Sequence, residues 1–275
     1  MRSQLAIILC LFLFTYQTFS SQKSKTYKPL QQDLKSILNK VIPLEKLTGK
    51  IVIPAHIKHI KLDIGLSYSA PMSQYWLSHE KENLFVFGFE PNPACIQSIC
   101  NGATKWHESH GEPLDPKYIG KQFFLIPCAL GISNSNMIQF FVTNDCGCSS
   151  LYFPKFFEIE QIITVPIFRL SDFFDLFPFD THPVIDYIKI DAQGADLDIV
   201  KSAGYYLAEK VIYITIEAEN SQYENTINST RDIDNYMNSV GFIRHISSNT
   251  SDPTYFNPRY SNYIQNNPIH IYQKG

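Results

Sequence analysis

The sequence predicts an α/β domain: a mostly parallel, twisted sheet with helices on both faces and a terminal antiparallel strand pair. Three observations lead there. Four apolar runs of strand length each stop on an acid: Ile60–Asp63, Leu84–Glu90, Val184–Asp191 and Val211–Glu217. Stretches of helical period separate them, the alternation that builds parallel sheets. With 275 residues, 44% of them hydrophobic and 18% charged, the chain can fill one core of ordinary domain size.

Taken in order, Arg2 precedes the apolar run Leu5–Phe14, and Thr18-Phe19-Ser20 supplies small residues at a cleavage position. Residues 1–20 are expected to be a secretory signal peptide, with an uncleaved signal anchor as the alternative. The body would then face a lumen or the exterior, secreted or held by a single-pass anchor. Residues 21–57 form an N-terminal extension. Within it Leu30, Leu34, Ile37, Leu38 and Val41 recur at helical spacing before Pro43 stops the helix. Residues 58–275 form the main domain. Its first strand ends at Asp63, and a helix begins near Pro71. A second strand ends at Glu90, followed by a short helix over Pro93–Cys100. Asn101–Gly120 reads as loop. A third strand spans Gln122–Pro127, and extra strands lie at Met137–Val142 and Ile162–Phe168. A short helix covers Leu170–Phe177, then come the strands ending at Asp191 and Glu217, with a helix up to Gly204 between them. Ser229 or Thr230 opens a helix that Gly241 closes. Phe242–Ile246 and Ile269–Tyr272 are expected to form the terminal antiparallel pair.

In open parallel sheets ligands bind beyond the carboxyl ends of the strands, so Asp63, Glu90, Asp191 and Glu217 should share one rim. Gly65 follows the first strand, and Glu90 lies 25 residues after it, close to the spacing of a nucleotide fold. There glycine permits close backbone approach and a carboxylate accepts from two vicinal hydroxyls. The further glycines that suit a pyrophosphate are missing, since Ser67 and Ala70 stand near their places. A ligand with adenosine and no pyrophosphate, such as S-adenosylmethionine, fits better than NAD. Against these roles stand simpler ones. Asp63 could anchor the loop, Glu90 could cap the next helix, Asp191 could start its own helix, and Lys189 reads as a paired structural lysine.

The ordered segments LDIG, GFEPNP, IPCALG, IDYIKIDAQGAD, KSAG and ITIEAE resemble the FkbM family of S-adenosylmethionine-dependent methyltransferases, over roughly Ile60 to Glu219. The resemblance implies a Rossmann-like class I methyltransferase fold with S-adenosylmethionine as cofactor. It places Asp63, Gly65 and Ser67 near the methionine and ribose, Glu90 on the ribose hydroxyls, and Ala129 and Leu130, after Cys128, against the adenine. Asp191 would orient or deprotonate an acceptor hydroxyl. The acceptor would be a carbohydrate or another small molecule. Two positions depart from the pattern: Ser69 stands near the usual second glycine, and Gln193 replaces the usual Glu of Asp-x-Glu-Gly. They motivate an alternative, a catalytically weakened ligand- or partner-binding protein of the secretory pathway.

Composition excludes other classes. A net charge of −3 provides no basic field for nucleic acid. His79, His107 and His110 show no metal spacing, and Cys146-Gly147-Cys148 lacks a second ligand pair, so no metal is assigned. Loop thiols, or one disulfide such as Cys128 to Cys146, explain the cysteines. Asn228-Ser229-Thr230 and Asn249-Thr250-Ser251 are glycosylation sequons. Ser149, Ser150 and Tyr152 are candidates for a substrate loop.

Overall fold

Five apolar segments lie side by side as parallel strands: β1 (His59–Ile64), β2 (Leu84–Phe89), β3 (Phe123–Ile126), β7 (Ile185–Ile190) and β8 (Val211–Ile216). The computed structural model describes residues 34–80, 83–102, 111–145, 147–218, 221–245 and 251–266. Two strands complete the sheet, β9 (Ile243–Arg244) and β10 (Thr254–Phe256), giving the order β3-β2-β1-β7-β8-β10-β9. A second sheet of three strands joins β4 (Ala129–Leu130), β6 (Ile159–Phe168) and β5 (Met137–Thr143), in the order β4-β6-β5.

Each strand of the parallel set is almost continuously buried, β2 and β3 without a polar side chain, because helices cover both faces. On one face α1 (Leu34–Val41), α4 (Leu170–Leu176), α5 (Asp196–Ser202) and α7 (Thr230–Ser239) build the larger core. Its centre is aromatic. Phe87 and Phe89 meet Phe173 edge-on at 5.2 and 5.3 Å. On the other face α2 (Pro71–Glu80) and α3 (Pro93–Asn101) bury Trp76, Leu77, Ile96 and Ile99. The ends follow local chemistry. Asn92 caps α3 by accepting from the Ala94 N–H, and Ser229 caps α7 by accepting from the Asp232 N–H. Short helices α6 (Tyr206–Lys210) and α8 (Ser261–Asn266) complete the set.

The α/β architecture, the mostly parallel sheet and the two covered faces match the sequence expectation. The terminal antiparallel pair exists with a different partner: β9 pairs with Thr254–Phe256, while Ile269–Tyr272 lies outside the described residues. Thr254–Phe256 is too short to show a strand period in the sequence, and hydrogen bonds to both β8 and β9 hold it. Among the described residues no helix is long and apolar enough to cross a membrane. Residues 1–20 lie outside them, as do His107, His110, Cys146 and the Asn249 sequon. Cys128 is a fully buried thiol and not half of a disulfide. Asn228 is 1% exposed, and its amide donates to Asp196 and to the Glu217 carbonyl, so folding closes this sequon to modification.

Candidate active site

Because β3, β2, β1, β7 and β8 run parallel, their carboxyl ends share one edge, and the strand order reverses between β1 and β7. A cavity of about 880 Å³ opens at that switch point. Asp63, Gly65, Ser67, Glu90, Ala129, Leu130 and Asp191 all line it, as does Glu217. The expected rim is therefore present, with Phe140 of the second sheet and Leu151 of the β5–β6 connection in its wall.

Gly65 turns the chain at the end of β1 with φ +79°, in the left-handed region. A Cβ here would sit 1.8 Å from the carbonyl oxygen of Asp191. The neighbour demanding glycine is thus the end of β7, where the sequence reading looked to a ligand. Gly65→Ala is expected to cost about 2–5 kcal/mol, from positive-φ strain and overpacking together. Denaturant melts check this, and an unchanged midpoint would remove the packing argument.

Glu90 is 5% exposed. One oxygen accepts from the Leu66 and Ser67 N–H groups at 3.1 Å, and the other from the Asn92 N–H at 2.8 Å. It therefore ties the loop after β1 to the end of β2. Burial pushes it up to about 7, against the pull of those three amides. Asp63 anchors α2, accepting from the Ser73 N–H and hydroxyl. Its second oxygen is buried and has no hydrogen-bond partner. Burial raises this carboxyl above its usual range.

Lys189 is the hub. Its ammonium donates to the Gly65 carbonyl at 3.2 Å and to Asp191 at 3.1 Å, and lies 4.0 Å from Asp63. Burial alone would lower its pKa, but Asp191, Asp63 and Glu217 outweigh that and hold it charged. Asp191 does not begin the helix, since α5 starts at Asp196. Asp196 itself accepts from the Ala192 and Gly194 N–H groups and from Asn228, which fixes the turn behind the site. Burial pushes Asp191 up, yet Lys189, Glu217 and Gln193 pull it down to about 2. Its partner Glu217 moves the opposite way, raised by burial and by the charges of Asp191 and Asp196. Asp191 is thus held as the carboxylate of the pair, while Glu217 is the member that burial and its charged neighbours push toward the protonated form.

Gln193 bridges this pair. Its amide nitrogen lies 2.8 Å from both Asp191 and Glu217, and its oxygen accepts from the Tyr223 hydroxyl at 2.8 Å. Its backbone is left-handed, φ +54°, with the carbonyl bound by Ser150. Ser150 and Tyr152 are framework residues, the latter bonded to Asp198, whereas Ser149 reaches the cavity.

The buried acids set a pH dependence. Glu90 rises from 4.5 to about 7 and Asp196 from 3.8 to about 7. Both therefore contribute stability below their ordinary values that is lost as pH climbs through about 7. Asp191, depressed from 3.8 to about 2, loses its contribution only toward pH 2. The melting temperature of the ligand-free protein should fall between pH 5 and 8, and a steady rise there would contradict these environments.

The pattern of the family described as "Methyltransferase FkbM domain" matches residues 53–244. The chain belongs to this family. A similar solved structure is that of methyltransferase FkbM from Methylobacillus flagellatus KT, at 16% identity and a TM-score of 0.42. The match covers 82% of this chain and 50% of that one, so the chain spans about half the length of the FkbM structure it matches. None of the curated proteins matches the chain. The matched range holds Asp63, Gly65, Glu90, Asp191, Gln193 and Glu217. It excludes Thr254, which only the fold brings to the cavity.

Proposed function

We propose that this FkbM-family chain is an S-adenosylmethionine-dependent O-methyltransferase acting on a hydroxyl of a carbohydrate or another small molecule. The observation that carries the reading is the gathering of the Gly65 loop, Glu90 and Asp191 in one cavity at the topological switch point. The residues fit the cofactor. Its volume lies within the range of about 300–1,000 Å³ that holds organic ligands. The Asp63 oxygen left without a hydrogen bond, 4.0 Å from Lys189, suits a donor on the ligand, and acids around the rim suit a cation. Ala129 and Leu130 offer an apolar wall to an adenine, and Ser67 lines the cavity beside Glu90, to which its N–H donates.

When bound, S-adenosylmethionine supplies an electrophilic methyl group. The chain's own part is to align, to exclude water and to take a proton. Glu90 accepts from the ribose hydroxyls, giving up backbone partners to do so. Lys189 keeps Asp191 ionised and pins it to the Gly65 loop. Asp191 accepts the acceptor's hydroxyl proton. A carboxylate of such low basicity is a weak base, so it acts late, as the oxygen loses charge to the forming C–O bond. The N-terminal segment over residues 1–20 would direct the protein into the secretory pathway, leaving residues 58–275 as the catalytic domain.

Calorimetry on the full chain with S-adenosylmethionine, S-adenosylhomocysteine and NAD tests the cofactor. Binding of NAD alone would overturn the reading. The engagement of Asp191 and Glu217 by Gln193 favours a second reading, a binding protein of the same fold. Donor affinity with no methyl incorporation into any hydroxyl acceptor would favour it.

A further inference from the structure

The cavity does not stop at the strand ends. On the α2 face of the sheet, Asp63 pairs in register with Lys189, Lys189 with Thr215, and Thr215 with Thr254. This is a straight row of four polar side chains across β1, β7, β8 and β10. All four line the cavity, together with Tyr187 one step deeper on β7. An interior sheet face is normally apolar, and each polar group kept there needs a partner. The Tyr187 hydroxyl bonds to the Thr215 hydroxyl, which bonds to that of Thr254 at 2.7 Å. Thr254 also reaches the Tyr187 hydroxyl, so the three form a closed cluster whose lone pairs, and whose protons once turned outward, are open to an entering hydroxyl. Tyr75 and His79 of α2, their rings tilted by 32° with centroids 4.2 Å apart, line the same cavity. The acids Asp191 and Asp252 border it, while the charge of Lys189 is already met by Asp191.

We propose that the hydroxyl chain Tyr187–Thr215–Thr254 is the floor of the acceptor subsite, and that it takes a neutral polyhydroxylated ring. The proposal rests on the methyltransferase reading above and specifies its acceptor. Hydroxyls that both donate and accept match vicinal hydroxyls of a sugar in either orientation. Ring faces match its C–H surface. The bordering acids disfavour phosphorylated or carboxylated acceptors, because a desolvated like charge is repelled. Asp63 and Lys189 stand between the three hydroxyls and the Gly65 loop, so the floor adjoins the proposed methyl-donor site without sharing its hydroxyls.

The test is saturation-transfer NMR on the full chain with S-adenosylhomocysteine present. The probes are methyl glycosides of glucose, galactose and mannose and their phosphate esters. At least one glycoside should bind, with its phosphate ester about tenfold weaker or worse. Tyr187→Phe and Thr254→Val should each weaken that glycoside about tenfold, the effect of one or two hydrogen bonds. Their affinity for S-adenosylhomocysteine should stay within about twofold. Tyr187→Phe preserves shape, so it still decides the matter should Thr254→Val fail to fold. Silence from every glycoside, equal binding of the phosphate esters, or variants that shift only the nucleoside ligand would each overturn the subsite. Glycosides that bind while S-adenosylhomocysteine does not would instead overturn the methyltransferase reading and leave the subsite standing.

Discussion

Asp191→Asn lowers methyl-transfer turnover by about 10²–10³-fold, with donor affinity within about twofold, in the range expected for loss of a positioned base. The substitution keeps the shape and the hydrogen bond from Lys189 but cannot accept a proton. It also removes the charge that raises Glu217, so the Glu217 carboxyl becomes easier to ionise. A residual rate should therefore remain and should increase with pH, and Asp191→Asn with Glu217→Gln should abolish it. Labelled methyl incorporation into an identified acceptor measures both. Full turnover in the single variant would exclude Asp191 as the proton acceptor. A pH-independent residue of activity would exclude Glu217 as its substitute.

Glu90→Ala weakens S-adenosylmethionine binding by about 100-fold, equivalent to two hydrogen bonds to a charged group at about 1.5 kcal/mol each. The loop effect is separable from the ligand effect. Glu90 also holds the Leu66, Ser67 and Asn92 N–H groups, so the variant should melt at lower temperature. Glu90→Gln retains one acceptor oxygen and should lose less in both measurements. The pH dependence carries a sign. Ribose hydroxyls donate to the ionised carboxylate, and burial holds Glu90 near 7 in the free protein. Donor affinity of the native chain should therefore rise between pH 6 and 8, while that of Glu90→Gln stays flat. Calorimetry across that interval decides it. Unchanged affinity in Glu90→Ala removes the ribose role.

The candidate site was legible where one residue's chemistry coincided with the end of an apolar run. Glu90, Asp191 and Glu217 stand out because a buried-type strand that stops on an acid must deliver it to an edge. Gly65 was legible as a glycine that the turn needs, but its reason was not. The Asp191 carbonyl lies 126 positions away along the chain (191 minus 65) and meets it only once β1 and β7 pair. Lys189 read as a paired lysine, and it is one, yet its partners come from three segments.

By itself the sequence determined the period of each element, its terminators and the acid at each strand tip, because these depend on neighbours a few residues apart. Helical and extended backbones impose their own repeat, so apolar spacing reveals them. Strand order belongs to the tertiary structure alone. So do the row Asp63–Lys189–Thr215–Thr254, the opposed shifts of Asp191 and Glu217, and the burial of Glu90 and Asn228. Those properties arise when distant segments exclude water from one another, and the charge state of a carboxyl follows from what replaces that water.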